Sequence, residues 1–385
     1  MYTVHTLNKI SKTGLALLDE NYTVSEQLEG ADAILVRSAK MHDMEIPESV
    51  KAIARAGAGV NNIPITECAE KGIAVFNTPG ANANAVKELV IAGLLLSSRD
   101  VIGGINWAHT LEADVAKQVE KGKSAFAGQE ILGKTLGVVG LGAIGVMVAN
   151  AAAALGMKVI GHDPYISVDA AWGLSREVVH AKSLDELLTQ SDYITIHVPL
   201  LDSTKHMLNA DAFGKMKDGV RILNFSRDTL VENKDLFAAI ESGKVAKYVT
   251  DFPVEEVMNN DHVITIPHLG ASTTESEDNC AMMAVKEVRD YLENGNITNS
   301  VNLPACSMAW VASYRLALIH KNTPAMIGQI TNIIAQAGIN IQDMTNRSRG
   351  DFAYTLIDTD TAVSDEQVAK IQGIENMIKV RVLKK

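Results

Sequence analysis

Three glycines, Gly140, Gly142 and Gly145, stand between an apolar, β-branched run, Thr135-Leu-Gly-Val-Val139, and an Ala-rich stretch from Ala143 to Leu155 that Gly156 ends. Those flanks favour a buried parallel strand followed by a helix. At such a turn the first glycine permits a tight reversal and the second lets backbone N–H groups approach a pyrophosphate. The third lets the helix pack closely on the strand, with its N-terminus facing the anion. The next strand pattern, Lys158-Val-Ile-Gly-His162, leads into Asp163, 18 residues beyond Gly145. That is near the spacing of about 20 for an acid that holds a ribose diol. Together these residues read as a dinucleotide site, and a carboxylate at Asp163 would repel a 2′-phosphate, which favours NAD over NADP.

Three polar residues further along follow apolar strands, where ligands of open α/β sheets bind. Arg227 follows Ile222-Leu-Asn-Phe-Ser226. A guanidinium there could grip a carboxylate through two parallel charge-assisted hydrogen bonds and polarise the adjacent carbonyl. His268 ends Val263-Ile-Thr-Ile-Pro267 and precedes the small-residue loop Leu269-Gly-Ala-Ser-Thr273. Imidazole exchanges protons near neutral pH, so His268 is the candidate acid–base group for a carbonyl receiving hydride. Glu255, in Asp251-Phe-Pro-Val-Glu-Glu256, could orient that ring and favour its protonated form, with Glu256 a competitor for the role. By residue type alone, the same three could be a surface arginine, a structural histidine and a solvated loop acid.

Groups at strand ends need sheets to carry them. Short apolar strands alternate with helical stretches from the N-terminus: Ala33–Arg37, Ala52–Arg55 and Ala74–Asn77, then a long helical run from Ala83 to Ala108. After the glycine turn, strands are expected at Tyr193–Pro199, Arg221–Ser226, Ala246–Asp251 and Val263–His268, separated by helices such as Asp185–Gln190 and Lys234–Ser242. This alternation predicts two doubly wound parallel-sheet units of the α/β class. A helix over Thr274–Asn294 follows, ended by Gly295, and Asn302-Leu-Pro304 reads as a linker able to hinge. The tail predicts strand Arg315–His320, helix Ile327–Gly338, strands opening at Ile339 and Phe352, helix Asp365–Ile374 and strand Ile378–Leu383. That is a small α+β module of β-α-β-β-α-β order, with neither a glycine triplet nor an acid–base pair.

With 385 residues, the chain should hold two or three domains. A formal charge of −11 without a basic run argues against nucleic acid or an anionic membrane as partner, so an acidic substrate needs a local cationic pocket. Cys68, Cys280 and Cys306 share no C-x-x-C spacing, which fits a reducing compartment and neither a zinc site nor a disulfide framework; no metal is expected. The opening, Met1-Tyr-Thr-Val-His5, has a strand pattern rather than that of a signal peptide, and the apolar stretch Leu89–Leu96 is too short to span a bilayer. A cytoplasmic location is the expectation.

The chain resembles the D-2-hydroxyacid dehydrogenases, in the branch that carries a C-terminal ACT domain. The resemblance runs over nearly the whole length through Arg55-Ala-Gly-Ala-Gly-Val-Asn-Asn62, Phe76-Asn-Thr-Pro79, Glu88-Leu-Val90, Gly133-Lys-Thr-Leu-Gly137, the glycine triplet, His197-Val-Pro-Leu200, Asn224-Phe-Ser-Arg227 and Pro267-His-Leu-Gly270. It implies a Rossmann-type NAD domain (98–280) inserted in a flavodoxin-like substrate domain (1–97, with a return helix and linker at 281–310). A ferredoxin-like ACT domain (311–385) would follow. It also implies hydride transfer between NAD and 3-phospho-D-glycerate, with the family's catalytic arginine, glutamate and histidine falling on Arg227, Glu255 and His268. The NAD contacts it implies are Gly140, Gly142, Ala143, Ile144, Gly145, Asp163, His197, Pro199, Thr204, Phe225, Ser226, Arg227, Asp251, His268, Gly270 and Ala271. For substrate it implies Arg37, Ser38, Arg55, Gly59 and Asn82, with the two arginines as phosphate ligands. In the tail, His320, Asn322 and Asn340 match places that hold L-serine in related ACT domains, whose edges commonly pair across subunits, so a homodimer or homotetramer is expected.

Three positions depart from the family pattern. Thr250-Asp251-Phe252 stands where the acid normally lies two places before the aromatic residue, Asp228 replaces the usual glycine after the arginine, and Lys87 replaces a small residue before Glu88. Two other readings stay open: a sibling dehydrogenase acting on another 2-oxo acid such as 2-oxoglutarate, and a non-catalytic NAD-sensing corepressor. The ACT-like tail suits end-product feedback on an enzyme better than it suits a corepressor.

Overall fold

A computed structural model describes residues 1–258 and 260–385. Its contacts divide the chain into two units, Met1–Ala81 with Glu277–Lys385, and Asn82–Ser276.

In the first unit, β1 (Tyr2–Thr6), β2 (Tyr22–Ser25), β3 (Ala33–Val36), β4 (Ala52–Arg55) and β5 (Ala74–Phe76) form a parallel sheet of order β2-β1-β3-β4-β5. β3 is buried along its whole length, as a strand covered on both faces must be, and reads as a continuous apolar run.

The second unit holds seven parallel strands: β6 (Thr135–Val139), β7 (Lys158–His162), β8 (Val178–His180), β9 (Tyr193–Ile196), β10 (Val220–Asn224), β11 (Val245–Thr250) and β12 (Val263–Thr265). Their order, β12-β11-β10-β9-β6-β7-β8, reverses direction between β6 and β9. That reversal is the switch point where open α/β sheets bind ligands. The helical run predicted from Ala83 to Ala108 is in fact two helices, Ala83–Ser98 and Val101–Ala108. Arg99 turns to an extended conformation, and the Asp100 side chain starts the second helix by accepting the Gly103 N–H at 3.0 Å.

The tail, in the first unit, is an antiparallel sheet of β13 (Tyr314–Lys321), β14 (Ile341–Arg349), β15 (Phe352–Thr359) and β16 (Met377–Lys384), ordered β14-β15-β13-β16, with helices Met326–Gln336 and Asp365–Gln372. One sheet face packs on those helices through Leu316, Leu318, Ile330, Ile357 and Ile371. Ala317, Ile319, Tyr354 and Leu356, alternate residues of β13 and β15, instead join one core with β1, β3, β4, β5 and helix Thr274–Asn294. Buried Arg315 spends all five guanidinium donors inside this unit: two on Asp358, at 2.6 and 2.9 Å, and three on the carbonyls of Asn294, Met308 and Ala309. The Asn302-Leu-Pro304 segment is therefore no hinge. Asn302 is buried, accepts the Val75 N–H at 2.9 Å and donates to Ile73 O at 2.9 Å, and Leu303 is fully buried.

Candidate active site

The glycine turn closes as its residue types require. Gly140 has a φ of +88°, and a side chain there would meet the His197 carbonyl oxygen at 2.6 Å. At Gly145 a Cβ would lie 1.9 Å from Gly140 O, so the helix Ala143–Ala154 could not approach the strand with any other residue in that place. A Cβ on Gly142 would meet nothing within 4 Å. The turn is thus packed on its protein side and open at Gly142, at the start of a helix whose first turn carries Ala143 and Ile144.

Asp163 follows β7 and accepts one backbone N–H on each oxygen, from Leu141 at 2.8 Å and from Tyr165 at 2.8 Å. The first bond ties the acid directly to the glycine turn. After β9, Thr204 accepts the Leu201 N–H at 2.8 Å and donates to Pro199 O at 2.7 Å, closing the loop that carries Pro199. His197 bonds Thr195 through Nε2 at 2.9 Å, while its buried Nδ1 has no partner. Burial pushes its pKa down to about 3, so the ring is neutral at physiological pH.

Three loops bring the catalytic candidates onto the carboxyl edge of this sheet. Fully buried Asn224, the last residue of β10, fixes the turn that carries Arg227. It donates to Arg227 O at 2.8 Å and to the Tyr248 hydroxyl at 3.1 Å, and accepts the Ser226 N–H at 3.2 Å. Ser226 in turn donates to Ile196 O at 2.7 Å, and Phe225 is buried. Arg227 and His268 are both exposed. The Phe252 ring lies beside both: its centroid is 4.6 Å from that of the His268 ring and 5.8 Å from the Arg227 guanidinium carbon. Asp251, just before Phe252, is 1% exposed, and its Oδ1 has no partner. Its Oδ2 lies 3.3 Å from where a side chain on Gly270 would begin. Ala271 follows in the same loop.

Glu255 opens a short 3-10 turn, Glu255–Val257, with its side chain exposed. Among the described residues no hydrogen bond or ion pair joins it to His268. Glu256 lines a hollow of about 280 Å³ with His206, Asp228, Thr229, Glu232 and Lys234. Phe252 and Asn224 are the organising residues that sequence reasoning missed. The available signals were the aromatic residue next to Asp251 and the asparagine three places before Arg227.

The substrate candidates of the first unit also gather at strand ends. The Arg37, Ser38 and Ala39 N–H groups converge on Asn8 Oδ1 at 3.0 to 3.1 Å. Arg37 pairs with Glu277 at 2.7 Å, and Arg55 donates to the carbonyls of Gly59 and Arg37. Asn82 belongs to the second unit and precedes helix Ala83–Ser98. In the tail, His320 is buried, with its ring nitrogens on Lys321 O at 2.8 Å and Thr355 Oγ1 at 2.9 Å, and burial lowers its pKa. Asn322 donates to Gly350 O at 3.1 Å. Asn340 is not brought to them. It precedes Ile341, which registers with Thr359, whereas His320 registers with Ala353 near the other end of the sheet, about 20 Å away along the strands.

Residues 101–270 match the D-isomer specific 2-hydroxyacid dehydrogenase, NAD binding domain. The chain is 37% identical over 312 residues to the hydroxypyruvate reductase of Thermotoga maritima, covering 74% of this chain and 97% of that protein. It is 31% identical over 375 residues to the D-3-phosphoglycerate dehydrogenase of Haemophilus influenzae, covering 94% and 88%. Among solved structures, it resembles the NAD+-bound 3-phosphoglycerate dehydrogenase of Entamoeba histolytica, with a TM-score of 0.60, 26% identity and coverage of 78% and 98%. The open Gly142 turn with Asp163 bonded to it is a cradle that fits the same cofactor.

Proposed function

As the chain belongs to the D-isomer specific 2-hydroxyacid dehydrogenases and is an NAD-dependent enzyme of that family, we propose that it oxidises 3-phospho-D-glycerate to 3-phosphooxypyruvate, the opening step of serine synthesis. NAD, when bound, supplies the acceptor for the hydride leaving C2. Arg227 grips the substrate carboxylate in two parallel N–H···O bonds and polarises the adjacent C2 oxygen. His268 receives the hydroxyl proton as that C–O bond becomes a carbonyl. Glu255 is the family's counterpart for steadying the imidazolium.

The observation that carries the substrate reading is the extent of the match. The Haemophilus relative aligns with 94% of the chain, most of the tail included, whereas the Thermotoga relative leaves a quarter of it unmatched. The higher identity to the latter, 37%, favours hydroxypyruvate as the second reading. Initial rates with NAD and 3-phosphoglycerate, set beside NADH with hydroxypyruvate and 2-oxoglutarate, decide between them. A kcat/KM for hydroxypyruvate well above that for the phosphorylated pair would refute the first. His268→Ala should lower kcat by about 10² to 10⁴ while NADH affinity holds.

Serine feedback through the tail is part of the same reading. With His320 and Asn322 near one end of the sheet and Asn340 at the other, a serine site built from all three needs Asn340 from a second copy, consistent with a homodimer or homotetramer. Calorimetry with L-serine beside rate assays tests it. No heat and no inhibition at millimolar serine would leave the tail with assembly alone.

A further inference from the structure

We propose that Asp251 is a positioning residue of the reaction, its carboxylate the electrostatic partner of His268 in the role the sequence pattern gives to Glu255. The inference rests on His268 being the proton acceptor.

Asp251 directly follows β11 and His268 lies three residues past β12, and these strands are neighbours, with Thr250 registered on Thr265. The loops they release therefore emerge side by side. Asp251 is 1% exposed, with one carboxylate oxygen lacking any partner. A buried carboxylate oxygen with no hydrogen-bond donor is costly, and a nearby positive charge offsets that cost. The cations bearing on it are His268, from the loop after β12, and Arg227, from the loop after β10. Helix Ala83–Ser98 presents apolar Val86 to the adjoining Gly270, and its charged residues Lys87 and Glu88 pair with one another at 3.7 Å. Burial raises the Asp251 carboxyl above the ordinary aspartate value, while the attraction of His268, the Gly270 backbone N–H and Arg227 pull it back. The attraction is mutual: a buried carboxylate that gains from imidazolium must also favour it. Glu255, exposed and unbonded to the ring, has water rather than protein around its charge, which weakens the same effect.

The test is the titration of the His268 ring by NMR, assigned by the signal lost in His268→Ala, in wild type, Asp251→Asn and Glu255→Gln, with the pH profile of kcat/KM and the NADH affinity of each. In Asp251→Asn the imidazolium loses its counter-charge, so the His268 midpoint should fall by about one unit and the acid limb for hydroxyacid oxidation should move the same way. Glu255→Gln should move both less. Asp251→Ser, smaller and also neutral, checks the shift if the asparagine variant loses its fold. An unmoved midpoint in the aspartate variants, or a larger shift in Glu255→Gln, overturns the proposal. So does weaker NADH binding with both profiles unmoved, which would make Asp251 a nicotinamide contact. Full activity in His268→Ala would instead remove the reaction reading, while the ring titration would still decide whether the pair exists.

Discussion

Replacing Gly142 and Gly145 separately by alanine should divide cofactor binding from folding. At Gly142 φ is −76°, an ordinary value for any residue, and an added Cβ meets nothing within 4 Å. The unliganded fold should not notice the methyl group, and Tm should change by less than about 2 °C. On the proposed reading that open space is where a pyrophosphate must lie for the backbone N–H groups to reach it, so the methyl should obstruct the cofactor. Losing one such charge-assisted hydrogen bond costs about 1.5–3 kcal/mol, or roughly 10- to 100-fold in NADH affinity. At Gly145 the new Cβ falls 1.9 Å from a backbone oxygen, which no rotamer change can relieve. The helix and turn must part, at about 1–3 kcal/mol. For a unit of this size that is a fall in Tm of roughly 2–12 °C, with or without cofactor. The assay is thermal unfolding at zero NADH and at 100 times the wild-type Kd, where binding adds about 2.7 kcal/mol to the wild type. A 100-fold weaker Gly142→Ala would retain only about 0.4 kcal/mol of that. Wild-type NADH stabilisation in Gly142→Ala would refute the cradle, and an unchanged Tm in Gly145→Ala would refute the packing argument.

Arg227→Lys keeps the charge but loses the planar fork, so kcat/KM should drop at least tenfold, about 1.4 kcal/mol, and near-normal kinetics would move the carboxylate anchor elsewhere. Asp163→Ala should erode the NAD preference over NADP and also weaken NAD itself, because the Leu141 N–H of the glycine turn loses its acceptor; selectivity retained in that variant would remove Asp163 from the ribose site. Burial raises buried Glu287 to about 7 although Asn299 donates to it at 2.6 Å, so folding favours its protonated form. Its drag on stability is absent below the unfolded value near 4.5, grows as pH rises, and is complete above pH 7. Glu287→Gln should therefore stabilise the protein at pH 8, on the order of 3 kcal/mol, and hardly at pH 4 in urea melts; equal effects at both pH values would contradict this.

The glycine turn, Asp163, the alternation of strands and helices and the β-α-β-β-α-β tail were legible in the sequence because each depends on chemistry within a few residues: a positive φ, a short apolar run, an acid at the end of the next strand. Arg227 and His268 were legible as residues after strands whose types suit carboxylate binding and proton exchange, and the resemblance placed the family's catalytic pair on the same two residues. The sequence ran the strands two or three residues too far, into Pro199, Ser226 and His268, because apolar runs continue past the last ladder hydrogen bond. The ladder depends on the neighbouring strand, which periodicity along one segment does not contain. For the same reason only the tertiary structure decided that Phe252 sits beside both Arg227 and His268, that Asp251 is buried while Glu255 is exposed, and that Asn224 fixes the arginine's turn. The Phe252 contacts join loops released by three different strands, and sheet order and register determine which loops meet. The tail shows this most plainly. Its elements follow from local pattern, but alternate residues of β13 and β15 join the same core as β3 and β4, and that shared core turns an apparent linker at Asn302 into a buried clamp.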